Sequence, residues 1–293
     1  MVELSPVARL EHGSSATGLA MLEGGLLVSG GLDSTTLRLW NAATGESMGS
    51  LEGGKGGKIA ALPGGRFAIV GRLDRSASVW DAASRTRVCE LEGHTGAVYC
   101  VASLPGGLVA TGGWENTVRL WTAATGAPVA TLQHGSAVDA LALLPDGRLV
   151  SGDGYIIRLW DLSTCTCTAE WQVDDSVHSL AALEGGRLAS GCRGGAVHLW
   201  STASGAREAT LKGHMDAVWS LAALPRGLLA SGSEDKTVRV WSVGARACVA
   251  VLRGPVRGHT GGVYDLAALP GSRLASGSHD AFGGGVILVW ECK

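Results

Sequence analysis

The 293-residue chain carries 24 basic and 26 acidic residues and is 46% hydrophobic. Charges so nearly balanced offer no basic field for nucleic acid or an anionic membrane. Glycine or charge also interrupts every apolar run before it reaches the ~18 residues of a membrane-spanning helix. Glycine is the outlier, at 45 residues against 8 prolines, and points to tight turns between short strands. The length exceeds the usual size of one compact domain, so two domains are the naive expectation. Seven cysteines without framework spacing read as free thiols in a reducing compartment, the cytoplasm or nucleus. Met1 to Arg9 has no apolar core of the signal-peptide kind.

In chain order, the first predicted element is a short strand at residues ~2–10, within VELSPVARLEH. From there the sequence repeats. Seven of the ten tryptophans end one kind of phrase, at Trp40, Trp80, Trp121, Trp160, Trp200, Trp241 and Trp290. The intervals are 40, 41, 39, 40, 41 and 49 residues. GPVR at 254–257 and the glycines at 283–285 lengthen the last one. Within each period an alternating apolar stretch is followed by an LPxG-like turn. A second apolar stretch, a polar turn and a third stretch ending in tryptophan come next. Another turn (NAATG, DAASR, TAATG, STASG) leads to a fourth stretch such as APVATL at 127–132. Alternation at period two between glycine turns means strands. They are named a, b, c and d.

Trp290 falls on strand c of the last repeat, with only Glu291, Cys292 and Lys293 after it. The last repeat therefore lacks a strand d. PVARLEH at the other end resembles the strand d phrases, so residues 2–10 are predicted to complete the last sheet. Such a clasp leaves no unpaired edge at the junction.

Four strands per ~40 residues, with Gly-His and tryptophan markers, are the propeller pattern. Gly93-His94, Gly213-His214 and Gly258-His259 carry the first marker, and Trp80-Asp81 and Trp160-Asp161 the second. On these residues the whole chain resembles the WD-repeat β-propeller family. The implied fold is all-β: a seven-bladed β-propeller over residues 1–293, four antiparallel strands per blade, in one domain.

Ser, His and Asp recur together in His214, Ser231 and Asp235, in His259, Ser276 and Asp280, and in His12, Ser29 and Asp33. This imitates a hydrolytic triad. Repetition argues against catalysis. In the resembled family, Asp holds His, His meets the hydroxyl, and the hydroxyl meets the indole of Trp241, Trp290 or Trp40. Blade three supplies His94, Thr111 and Trp121 with Glu115 at the aspartate place. Blade four has His134, Ser151, Asp153 and Trp160. Blade five has Ser190 and Trp200, no histidine, and Gly194 at the acid place. Blade two has Asp74 and Trp80, with Val70 at the hydroxyl place and no histidine. Blades two and five are expected to be the softest.

The residue after the valine that opens strand a varies around the ring. It reads Thr17, Gly57, Tyr99, Asp139, His178, Trp219 and Tyr264. The resemblance implies that it rims the channel on the top face, where the b–c turns add Arg72, Trp114, Arg193, Glu234 and His279. Tyr and Trp are common interface anchors, and Asp139 and Glu234 suit a basic group. The expected function is a non-enzymatic scaffold, monomeric by itself, binding a peptide or protein loop that bears Arg or Lys. No cofactor or metal is expected; Cys165 and Cys167 lack further ligands. A substrate-recognition subunit, such as one of a ubiquitin ligase, is the alternative, and a propeller enzyme the remote one.

Overall fold

A computed structural model describes residues 4–31, 34–54, 56–71, 75–253, 258–279 and 284–292. These residues form seven four-stranded antiparallel sheets. The innermost strands a are Gly18–Met21, Ile59–Leu62, Val98–Leu104, Val138–Leu143, Val177–Leu183, Val218–Leu224 and Val263–Leu269. Each touches the strand a before and after it, and the first touches the last, which closes a ring around a channel. The b–c turns and d–a loops lie on the top face, the a–b and c–d turns on the lower one.

The alternation seen in the sequence does the packing. Along Val98–Leu104 every second residue is buried. Each core cluster spans two adjacent blades. Between blades seven and one it holds Leu10, Leu19, Leu27 and Trp40 with Ala267, Ile287 and Val289. The closing junction is therefore packed like the others.

The clasp forms as predicted from the sequence, one residue farther along at its end. Leu4–Glu11 pairs antiparallel with Val286–Cys292 of blade seven, and the register shifts between Pro6 and Ala8. An outer strand tolerates Pro6, which has no N–H to donate.

A recurrent irregularity matters for function. In blades three to seven the a–b ladder skips one residue on strand a. The skipped residues are Tyr99, Asp139, His178, Trp219 and Tyr264. A bulge leaves its extra residue unpaired and re-aims the side chain. In blades one and two the paired ladder begins beyond this position, at Gly18 and Ile59, so the shifted ladders occupy an arc of five blades.

Candidate functional site

The recurring Ser, His and acid residues meet inside blades, not in a cleft. In blade six the indole Nε1–H of Trp241 donates to Ser231 Oγ at 2.8 Å, and Ser231 Oγ lies 2.7 Å from His214 Nε2. His214 Nδ1 lies 2.8 Å from Asp235. With a neutral imidazole protonated on Nδ1, each donor finds an acceptor. Burial works to raise the Asp235 pKa, yet bonds from His214, Thr237 and the Met215 amide together outweigh it and hold it well below the usual range.

Blade three repeats the relay with Trp121, Thr111 and His94 at 2.7 and 2.6 Å. Glu115 substitutes for aspartate, 2.9 Å from His94 Nδ1, and also receives Thr117 and Arg119. In blade four Trp160, Ser151 and His134 are linked at 2.7 and 2.8 Å. Asp153 is 3.4 Å from His134 and takes Arg158 at 2.9 Å. Blade seven links Trp290, Ser276 and His259 at 2.8 and 2.6 Å. Asp280, Asp33, Asp74 and Arg72 lie outside the described residues.

Two blades differ from expectation. In blade one Trp40 still donates to Ser29 at 2.8 Å, but His12 does not reach that hydroxyl. Its Nδ1 meets Ser14 Oγ at 3.1 Å, and its buried Nε2 has no partner among the described residues. In blade two the register puts Ile69, not Val70, at the hydroxyl place: Ile69 pairs with Ser78 as Ser231 pairs with Arg239. The Trp80 indole turns to Ser78 on its own strand, at 2.8 Å. Blade five keeps only the Trp200–Ser190 bond, at 2.9 Å.

The bulged residues converge at the upper end of the channel. The rings of His178 and Trp219 stack at 4.6 Å and 29°, and those of Trp219 and Tyr264 lie 6.1 Å apart at 30°. Three adjacent blades thus contribute one aromatic ladder. Glu234, on the b–c turn of blade six, braces it. Trp219 Nε1 donates to one carboxylate oxygen at 2.8 Å, and the Tyr264 hydroxyl faces the other at 3.4 Å. Asp139 stands at the ladder's end, 3.9 Å from His178 Nδ1. All five bulged residues are half-buried. Trp114 stands apart from the ladder: it is 67% exposed and makes no ring contact among the described residues.

Beneath the ladder lies a cavity of about 160 Å³ lined from all seven innermost strands. It contains a network that sequence reasoning missed. Lys58 of blade two reaches Asp265 of blade seven at 2.6 Å and the Tyr264 carbonyl at 2.8 Å. Asp265 also accepts the Leu19 amide at 2.7 Å and Ser220 Oγ at 3.0 Å. The network joins blades six, seven, one and two across the closing junction. Gly18 lets the backbones of blades one and two approach closely beside it, because a Cβ there would fall 1.8 Å from the Gly57 carbonyl oxygen. One acid and one base in a column that reads Gly18, Lys58, Cys100, Ala140, Ser179, Ser220 and Asp265 were the available signal.

Comparison with known proteins agrees with this architecture. The family model described as "WD domain, G-beta repeat" matches residues 85–122, 126–161, 205–242 and 247–290, more than half of the chain. A U3 small nucleolar RNA-associated protein 15 homolog of Gallus gallus is 33% identical over 86 residues, 29% of this chain and 16% of that protein. Eukaryotic translation initiation factor 3 subunit I of Scheffersomyces stipitis is 37% identical over 75 residues, 25% of this chain and 21% of that protein. Apoptotic protease-activating factor 1 of Homo sapiens is 28% identical over 159 residues, 50% of this chain and 13% of that protein. The matched segments span less than a quarter of each relative. Seven four-stranded blades, the tryptophan at the end of each strand c and the matched repeats together carry one conclusion: the chain belongs to the WD-repeat, G-beta repeat family.

Proposed function

We propose that this propeller is a non-enzymatic protein-binding scaffold whose partner docks on the top face at the channel mouth. The observation that carries this reading is the His178–Trp219–Tyr264 ladder, built on bulges of three adjacent blades and braced by Glu234. Aromatic surface fixed in advance adds contact area with little further ordering on binding. A site built on bulges of rigid strands also keeps its shape when loops move. Asp139 and Glu234 flank the ladder, which favours a peptide or loop bearing Arg or Lys. The names of two relatives, a small nucleolar RNA-associated protein and a subunit of an initiation factor, support a role as one component of a larger assembly in the nucleus or cytoplasm. The relays support the non-enzymatic reading: their hydroxyls are fully buried and already engaged by an indole.

Quantitative affinity purification with Trp219→Ala plus Tyr264→Ala tests the proposal. Partners recovered with the wild type are expected to fall by about tenfold or more, since anchors of this kind carry ~2 kcal/mol each at an interface. Unchanged recovery with a normally folded double variant removes the top-face reading.

A further inference from the structure

The lower face carries a second recess. A cavity of about 670 Å³ opens between blades five, six and seven at the lower end of the channel. Its floor is apolar: Leu183, Leu224 and Leu269 end three successive strands a, and Ala182, Ala223 and Ala268 precede them. The alanine position holds Leu143 in blade four and Met21 in blade one. Three small residues in a row thus carve a pit between two large ones, and Ala223 and Ala268 are exposed within it.

Charge at the pit is uneven. Arg226, on the a–b turn of blade six, lines it; Arg246 lies on the c–d turn of the same blade, two residues past the lining Gly244, and neither turn carries an acid. Neither arginine makes a hydrogen bond or ion pair among the described residues. Glu184 stands at the blade-five rim, while Arg187 is already matched by Glu208 at 3.1 Å.

Both arginines also hold left-handed backbone conformations, with φ of 64° and 54°. At the Arg226 place, blades one, two, three, five and seven use glycine, namely Gly24, Gly64, Gly106, Gly185 and Gly271, all at positive φ. At the Arg246 place, Gly45, Gly126 and Gly205 do the same. A side chain there is disfavoured relative to glycine. In blade two Arg85 has the same conformation, but it donates to the Met48 carbonyl at 2.7 Å. Arg226 and Arg246 make no such contact. Strained residues without a structural role mark sites of function.

We propose that the lower mouth beside blade six binds an acidic peptide segment that inserts one large apolar side chain into the alanine pit, with its carboxylates on Arg226 and Arg246. The apolar floor of leucines and alanines suits a large apolar group, and the two guanidinium groups supply charge-assisted bonds to Asp or Glu.

A random peptide library displayed on phage and selected against the wild-type protein tests this. Enriched peptides are expected to carry a large apolar residue next to Asp or Glu. Their affinity should fall about tenfold or more in Arg226→Gly plus Arg246→Gly, and binding should be lost in Ala223→Leu, which fills the pit. The glycine variant relieves backbone strain, so its melting temperature should hold or rise, which separates lost binding from lost folding. Trp219→Ala plus Tyr264→Ala should leave this binding intact, so the two faces fail or succeed independently. Enrichment of basic or neutral peptides, failure to enrich any, or affinity unchanged in both lower-face variants would overturn the proposal.

Discussion

Ser231 serves two neighbours at once, accepting from Trp241 and meeting His214. Ser231→Ala leaves both without their partner in a fully buried place and should cost roughly 2–3 kcal/mol in urea denaturation. In blade one Ser29 serves Trp40 but not His12, so Ser29→Ala should cost only about 1 kcal/mol. Equal losses in the two would mean that the histidine link carries no stability. Acid acts on the same groups. His94 and His12 have pKa values lowered, chiefly by burial. Their unfolded forms bind protons first, so their contribution is full above about pH 6.5 and is lost as pH falls through the folded values. Glu115, Asp153 and Asp235 are also lowered, their hydrogen bonds outweighing burial. Their contribution is present above about pH 4 and lost below it. Thermal melts against pH should therefore decline in two stages, and a flat profile from pH 7 to 5 would contradict the histidine stage.

Among the elements, the closing junction is held from outside by the N-terminal strand and from inside by Asp265. Deleting residues 1–10 exposes the edge of Val286–Cys292 and removes Leu10 from its cluster; the melting temperature should drop sharply and aggregation rise. A deletion variant that stays monomeric with unchanged melting would rule out the clasp. Asp265→Ala strands Lys58, and roughly 2 kcal/mol should be lost, with part regained in Asp265→Ala plus Lys58→Met. Amide exchange should be fastest in blades two and five, which have no histidine at the relay position at all; blade six exchanging fastest would contradict this. The clasp was legible because tryptophan spacing counts strands, and the count ran one short at the end. Asp265 was not, since its partner is 207 residues away. The bulges were hidden too: burial alternates straight through the bulge on Val98–Leu104, and the missing pairing partner belongs to the other strand. The Val70 reading failed for a related reason, because register between strands, and not distance to the tryptophan along the chain, decides which residue faces the indole.

For the whole molecule, the ring explains why one face gathers distinctive residues. The lower turns largely obey the repeat, with Arg226 and Arg246 among the residues that replace its glycines, while the upper bulges are free to differ and hold an aromatic ladder over the channel. The position of the arc was readable in the sequence as a column of Tyr99, Asp139, His178, Trp219 and Tyr264. Its mutual stacking and its brace at Glu234 required the fold. Docking at that mouth is tested most directly by photo-crosslinking in cells. A benzophenone side chain at exposed His279, on the top face of blade seven, is compared with one at Met48, on the outer strand of blade one. Binding at the channel mouth predicts covalent partner adducts from position 279 that vanish in Trp219→Ala plus Tyr264→Ala, and none from position 48. Adducts from position 48 alone, or adducts at 279 indifferent to the double substitution, would contradict it.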